Sequence, residues 1–251
     1  MVHFIGAGSG AADLITVRGA RLLGEADVII YAGSLVNPVL LEYAKPGCEV
    51  YNSARMTLEE VIEVIRLAEA EGRTTARLHT GDPSLYGAVR EQFDALDALG
   101  IEYDVCPGVS AFCGAAAALR REYTLPEVSQ SVIITRVAGR TPVPEREHIR
   151  SLARHGATMI LFLSASLARE AQDELLAGGY PPDTPAAIVY KATWPDERIW
   201  RCTVETLAET VLSNDITKTA LIVIGDFLGD GYGRSKLYDP GFGTGYRGAR
   251  P

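Results

Sequence analysis

From its first residue the chain alternates short, β-branched apolar runs with segments whose apolar residues recur at helical spacing. Val2 to Ile5, Val28 to Tyr31, Glu49 to Tyr51, Thr74 to His79 and Tyr103 to Cys106 read as strands. The helices between them are equally legible. One runs from the glycine-rich turn at Gly6–Gly10 to about Gly24, and a short one follows Asn37-Pro38. Thr57-Leu58-Glu59-Glu60 is a capping box, in which hydroxyl and carboxylate satisfy orphan backbone donors reciprocally. The helix it opens carries Val61, Val64, Ile65 and Ala68 on one face. Val89, Phe93, Leu96 and Leu99 keep helical register within a segment from Leu85, and Ser110 to Arg121 is an Ala-rich helix. Strand and helix in strict alternation predict an α/β fold with a mainly parallel first sheet.

The rhythm breaks at Thr124-Leu125-Pro126, and a second α/β series follows. Its strands are Val132 to Ile134, Met159 to Leu163, Ala186 to Tyr190, Ile199 to Cys202 and Ala220 to Ile224. Only a turn-rich stretch around Trp194-Pro195-Asp196 separates the third of these from the fourth, so a hairpin and a mixed second sheet are expected. The domains are therefore read as 1–122 and 127–228, joined near residue 125. A tail over 229–251 holds seven glycines, buries too little apolar surface to offset its ordering entropy, and is expected to be loose.

Composition narrows the function. The 251 residues have an ordinary globular makeup, and a net charge of −8 without any Lys or Arg run disfavours binding or methylating nucleic acid. No apolar stretch is long enough to span a membrane and no basic, then apolar, leader opens the chain, so the cytoplasm is expected. Cys48, Cys106, Cys113 and Cys202 lack CxxC spacing, and His3, His79, His148 and His155 lack metal-ligand spacing, so no metal is expected. Gly108-Val109-Ser110-Ala111-Phe112 misses the G-x-S-x-G elbow by its last residue, and no phosphate-binding G-x-x-x-x-G-K-[ST] is present.

Three strand ends carry the candidate chemistry. Gly6-Ala7-Gly8-Ser9-Gly10-Ala11 fits the permissive dinucleotide fingerprint G-x-G-x-x-G/A, which admits an NAD(P)-dependent oxidoreductase. The fingerprint also asks for an acidic residue at the end of the second strand, where this chain has Tyr31-Ala32-Gly33-Ser34. The turn serves equally well as a close backbone approach. Thr80-Gly81-Asp82-Pro83 follows the strand that carries Arg77 and His79. Asp82 there suits either a ligand's ribose or amino group or the cap of the next helix. Pro107-Gly108-Val109-Ser110-Ala111 is the third strand end, with Ser110 a natural N-cap.

These loops, in this order, resemble the tetrapyrrole methylases, which transfer a methyl group from S-adenosylmethionine (SAM). The resemblance runs through Phe4 to Gly10, Gly81-Asp82-Pro83, Pro107 to Ala111, Thr158 to Leu163 and Thr219-Ala220-Leu221, with Ser9 where the family usually has proline. Tyr31 to Pro38, Tyr123 to Arg136, Gly139 to Glu145 and Tyr190 to Glu197 resemble the branch of the family that acts in corrin (cobalamin) biosynthesis. The resemblance implies two α/β domains with the cofactor cleft between them, a homodimer, and methylation of precorrin-4 at ring carbon 11. It also leaves another tetrapyrrole position open. A pigment-binding module without chemistry is the bland alternative.

Carried over by position, the resemblance implies SAM contacts from Gly8, Ser9, Gly10, Thr80, Gly81, Asp82, Ser110, Ala111, Leu163, Thr219 and Ala220. Asp82 is also a candidate for the catalytic proton acceptor. A rim of substrate carboxylates wants guanidinium groups, because these bind carboxylate bidentately. Arg55, Arg120, Arg136 and Arg140 near element ends are candidates, with Ser34, Asn37 and Tyr123.

Overall fold

The computed structural model describes residues 1–250, which form two compact units. The first unites Met1–Ala115 with Ala192–Asp196; the second unites Ala116–Lys191 with the chain from Glu197 onward. In the first unit the order is β1 (Val2–Gly6), α1 (Val17–Glu25), β2 (Val28–Tyr31), β3 (Glu49–Asn52), α2 (Leu58–Ala70), β4 (Thr75–His79), α3 (Arg90–Leu99) and β5 (Tyr103–Cys106). The next helix, α4 (Ala111–Leu119), contains the division between units, ahead of the seam expected near residue 125. Its first turn belongs with the glycine loop, because Gly114 lies so close to Ser9 that a Cβ there would sit 2.7 Å from the serine Cβ.

Five parallel strands make the first sheet, in the order β3-β2-β4-β1-β5, as the alternation predicts. On one face Ile5, Ala76, Leu78 and Ile29 pack with Leu22 and Leu23 of α1. On the other, Phe4, Val28 and Ile30 pack with Val61 and Ile65 of α2 and Leu96 of α3. Each such aliphatic side chain contributes about 1.5–3 kcal/mol on full burial, which makes the sheet a stiff floor for the loops at its C-terminal edge. The predicted capping box at Thr57 and Glu60 is present.

Two helices begin later than their apolar spacing suggests. After the glycine loop comes a single 3₁₀ turn, Ala12–Leu14, and α1 starts only at Val17, where the Thr16 hydroxyl accepts from Gly19 N–H at 3.0 Å. Pro83 to Tyr86 is a turn, not helix, and α3 starts at Arg90. The turn is tight enough that a Cβ at Gly87 would lie 2.2 Å from the Pro83 carbonyl oxygen.

The second unit contains β6 (Val132–Thr135), α5 (Ile149–Ala153), β7 (Thr158–Leu161), α6 (Ala168–Gly178), β8 (Pro185–Tyr190), β9 (Arg198–Thr203), α7 (Leu207–Ser213) and β10 (Ala220–Ile224). Its sheet runs β6-β7-β10-β8-β9, with β6 parallel to β7 and every other pair antiparallel, so the expected mixed sheet and β8–β9 hairpin are present. Met159, Leu161, Ile188, Ile222 and Ile224 pack against Leu175 and Leu207 of α6 and α7. The tail is mostly exposed, and the Arg247 guanidinium gathers the carbonyls of Leu237, Asp239 and Phe242 there. Among the described residues no helix is long and apolar enough to cross a membrane.

Candidate active site

Strands β4, β1 and β5 are neighbours, so the three chemistry-bearing loops leave the first sheet side by side. The chain after β1 passes to β2 through α1, and the chain after β4 passes to β5 through α3 on the opposite face. Diverging connections leave the strand ends between them open, where ligands of α/β sheets bind. Gly8 and Gly81 exchange backbone hydrogen bonds, Gly81 N–H to Gly8 O at 2.9 Å and Gly8 N–H to Gly81 O at 3.2 Å. Both have left-handed backbones, φ +83° and +60°, which a side chain would strain.

Asp82 ties the second loop to the third. Its Oδ2 accepts from Gly108 N–H at 2.9 Å, and its Oδ1 accepts from Ser84 N–H at 2.9 Å and from the Ser84 hydroxyl. No helix starts at this aspartate, so its carboxylate closes a local turn and joins two loops instead of capping. Partial burial by itself would raise the Asp82 pKa, but the donors from Ser84 and Gly108 outweigh it and hold the group below its ordinary value. Asp82 is the only ionised side chain in the loops 6–11, 80–87 and 107–111. A ligand with a cationic or hydroxyl-rich part suits this floor, which lacks the basic side chains a polyphosphate would attract.

Gly8, Ser9, Gly10, Gly81 and Ser110 are buried in these loops, Asp82 and Ala111 are half-buried, and Thr80 is exposed. Asn37 also reaches them. Its amide donates to Gly10 O at 2.8 Å while its Oδ1 accepts from Val39 N–H, so both ends of the side chain serve the protein. Ser34 and Arg55 are exposed beyond the ends of β2 and β3. Beneath the loops, Arg77 and His79 are buried on β4, the guanidinium held by Gln92 Oε1 and Ile30 O. Burial, with the Arg77 charge adding to it, pushes the His79 pKa down to about 3, so the ring is neutral.

In the second unit β7 and β8 finish at the sheet end where β10 begins. Leu163 follows β7, Thr219 precedes β10, and Lys191 N–H donates to Thr219 O at 2.9 Å. All three have positive φ, +53°, +56° and +47°, and a β-branched residue such as Thr219 seldom adopts it. The surroundings enforce the Leu163 conformation. Phe162 N–H is held by Thr135 O, and the buried Ser164 hydroxyl donates to Phe162 O while accepting from Val137 N–H. Strain of this kind collects where a backbone is shaped for a ligand. Since Leu163 is 66% exposed, Leu163→Asn removes strain and little packing. It is expected to raise Tm by about 2 °C, a gain of roughly 0.5–1 kcal/mol. A fall in Tm on thermal melting would show that Leu163 is not strained.

Arg136 stands at this same sheet end, its guanidinium bracing the following loop through the carbonyls of Val137, Thr141 and Pro142. Arg140, in that loop, is exposed, as is Arg120 just past α4. Tyr123 is at the other end of the sheet: its carbonyl accepts from Thr158 Oγ1 at the start of β7, and its ring is buried edge-on against Phe227. The placement separates it from the other candidates, because the apolar ring is taken up by the core. Sequence reasoning gave no site role to the segment 192–196, whose Thr193 reaches Ser9 and Ala11 from more than 180 positions along the chain.

A family model of the tetrapyrrole (corrin/porphyrin) methylases matches residues 1–208. The cobalt-precorrin-4 C(11)-methyltransferase of Methanocaldococcus jannaschii is 53% identical over 98% of this chain and 95% of its own length. A solved cobalt precorrin-4 methyltransferase of cobalamin biosynthesis superposes with a TM-score of 0.89 at 46% identity, covering 91% of this chain and 96% of that one. The uroporphyrin-III C-methyl transferase of Thermus thermophilus, solved with S-adenyl homocysteine, superposes with a TM-score of 0.75 at 27% identity, covering 90% of this chain and 92% of that one.

Proposed function

We infer the reaction from a firm premise: the chain belongs to the tetrapyrrole (corrin/porphyrin) methylases. It is a SAM-dependent C-methyltransferase of corrin biosynthesis that methylates precorrin-4 at ring carbon 11. The observation that carries the reading to the site is the Gly8–Gly81 bridge beside the Asp82–Gly108 bond. Together they set three strand-end loops into one surface with few side chains and a single negative charge. When bound, SAM supplies an electrophilic methyl on a sulfonium.

The residues proposed to hold it fit that chemistry. Gly8, Ser9, Gly10 and Gly81 offer backbone groups, Asp82 offers negative charge without competing as a nucleophile, and Thr80 and Ser110 offer hydroxyls. Leu163, Thr219 and Ala220, with Ala111, complete the proposed cofactor contacts. The protein's main contribution is alignment, holding the acceptor carbon about 3–3.5 Å from the methyl, which lowers the barrier by several kcal/mol. Asp82 already accepts from Gly108 N–H, Ser84 N–H and the Ser84 hydroxyl, and these donors hold its pKa below the ordinary value, so its role is holding the loops more than receiving the proton that leaves the macrocycle. Ser34, Arg55, Arg120 and Arg140 are exposed and remain the proposed contacts for the substrate's polar rim. The reading includes a homodimer, working in the cytoplasm, where its four free cysteines would stay reduced.

Purified protein given SAM and precorrin-4 is expected to yield a product one methyl heavier, with NMR locating the new carbon at ring position 11. Cobalt-precorrin-4 in a parallel reaction decides which form is turned over. Calorimetry is expected to give a micromolar Kd for S-adenosylhomocysteine. Binding of NADPH in its place, or methylation at a different ring carbon, would overturn the reading.

A further inference from the structure

The glycine loop makes a second set of contacts that the strand-end arrangement alone does not require. Residues Ala192–Asp196 belong to the first unit although they lie some 180 positions along the chain from the loop. Thr193 Oγ1 accepts from Ala11 N–H at 3.0 Å and shares a hydrogen bond with Ser9 Oγ at 3.1 Å. Trp194 lies over Gly10, where a Cβ would fall 2.1 Å from the indole Cδ1. From the other side Asn37 holds Gly10 O at 2.8 Å, and Gly114 leaves room for the Ser9 side chain. Thr193 is itself at φ +67°, a costly backbone for a β-branched residue, and it is kept there with its hydroxyl on the loop.

We propose that Thr193 is a positioning residue for cofactor binding, its hydroxyl fixing the Ser9–Ala11 turn in the shape that meets the cofactor. The proposal rests on the reading that this loop holds SAM. The chemistry explains why the pair is Ser with Thr. A proline at position 9 would restrict the turn through its own ring, since it fixes φ near −65°. A serine is free to rotate, and a hydroxyl–hydroxyl bond to a residue anchored elsewhere restores the restriction. Ala11 N–H, which would otherwise be left without an acceptor at a half-buried position, is satisfied by the same oxygen. Thr193 touches no reacting atom in this scheme, so its removal acts on the binding of SAM and not on the chemical step.

The test compares wild type with Thr193→Val, which keeps the shape and loses the hydroxyl, Thr193→Ser, which keeps the hydroxyl, and Ser9→Ala. Thr193→Val is expected to weaken S-adenosylhomocysteine binding by about tenfold, the loss of two hydrogen bonds, and to raise KM for SAM with kcat little changed. Thr193→Ser is expected to bind within about twofold of wild type, and Ser9→Ala about threefold more weakly, one bond being lost. Adding Ser9→Ala to Thr193→Val should weaken binding no further, because the shared bond is already gone. Should Thr193→Val fold poorly, Ser9→Ala breaks the same bond from its other partner. A merely structural role would lower Tm in Thr193→Val and leave the Kd of the folded fraction unchanged, and that result overturns the proposal. If wild type binds no S-adenosylhomocysteine, the SAM reading fails and this proposal with it; if wild type binds and Thr193→Val binds equally, only this proposal fails.

Discussion

Asp82→Ala is expected to lower kcat/KM for methyl transfer by about 100-fold and to weaken S-adenosylhomocysteine binding by a similar factor. The carboxylate accepts from two backbone N–H groups and one hydroxyl. Hydrogen bonds to an ionised acceptor contribute about 1.5–3 kcal/mol each, and roughly 3 kcal/mol corresponds to that change in rate. Alanine leaves Gly108 N–H without its acceptor and lets the second and third loops part. Asp82→Asn is expected to be milder, about tenfold, because its carbonyl keeps one set of donors while its amide turns a donor toward the other. Calorimetry, steady-state kinetics and a melting curve on the same samples check this. An Asp82→Ala enzyme within threefold of wild type would remove Asp82 from the site.

The same contacts set the pH response. The folded pKa lies below the ordinary 3.8, so the stabilisation from this carboxylate is present above 3.8 and is lost as pH falls through the lower folded value. Between about pH 5 and pH 9, Asp82 should therefore add no inflection to the rate profile. His79, neutral with a pKa near 3, should add none either, so an inflection near neutrality has to come from the substrate or from another side chain.

What the sequence made legible follows the range of the interactions. Strands and the capping box at Thr57 are settled by residues a few positions apart, and these stand where the pattern puts them. The start of α3 is different: Leu85 has helical spacing to Phe93, yet the tight Pro83–Gly87 turn delays the helix to Arg90. Local periodicity reports which face is apolar and says nothing of a backbone collision. The three strand-end loops were found as loops, and the parallel topology then makes them neighbours. Their ties are long-range: Asp82 to Gly108 spans 26 positions and Ser9 to Thr193 spans 184. Asn37 shows how such ties change a reading. The sequence offers Asn37 only as a substrate candidate beside Ser34 and Tyr123, and the folded chain adds an amide hydrogen bond to Gly10 O that no local pattern shows. Tyr123 carries the same lesson, since the contact of its ring with Phe227 joins residues 104 positions apart.

Gly108→Ala is expected to cost about 3 kcal/mol or more, to lower Tm by roughly 6–12 °C and to abolish S-adenosylhomocysteine binding. A Cβ on Gly108 would lie 2.2 Å from Gly81 O and 2.7 Å from Gly6 Cα, and a Cβ on Gly6 would lie 2.5 Å from Gly108 Cα. Every one of these neighbours is backbone, so no side chain can swing away to make room. Gly81 O is also the acceptor for Gly8 N–H, and Gly108 N–H is the donor to Asp82. Moving Gly108 outward thus strains both ties that make one surface of three loops. Gly100→Ala is the control. Gly100 sits at φ +67° with nothing within 4 Å of the added carbon, so the change costs only the left-handed backbone, about 1–2 kcal/mol, and leaves binding untouched. If the two variants lose equal stability and both bind, close packing of the glycine backbones is not what shapes the site. If Gly108→Ala alone loses binding, the absence of a side chain at that crossing is what lets the cofactor surface form.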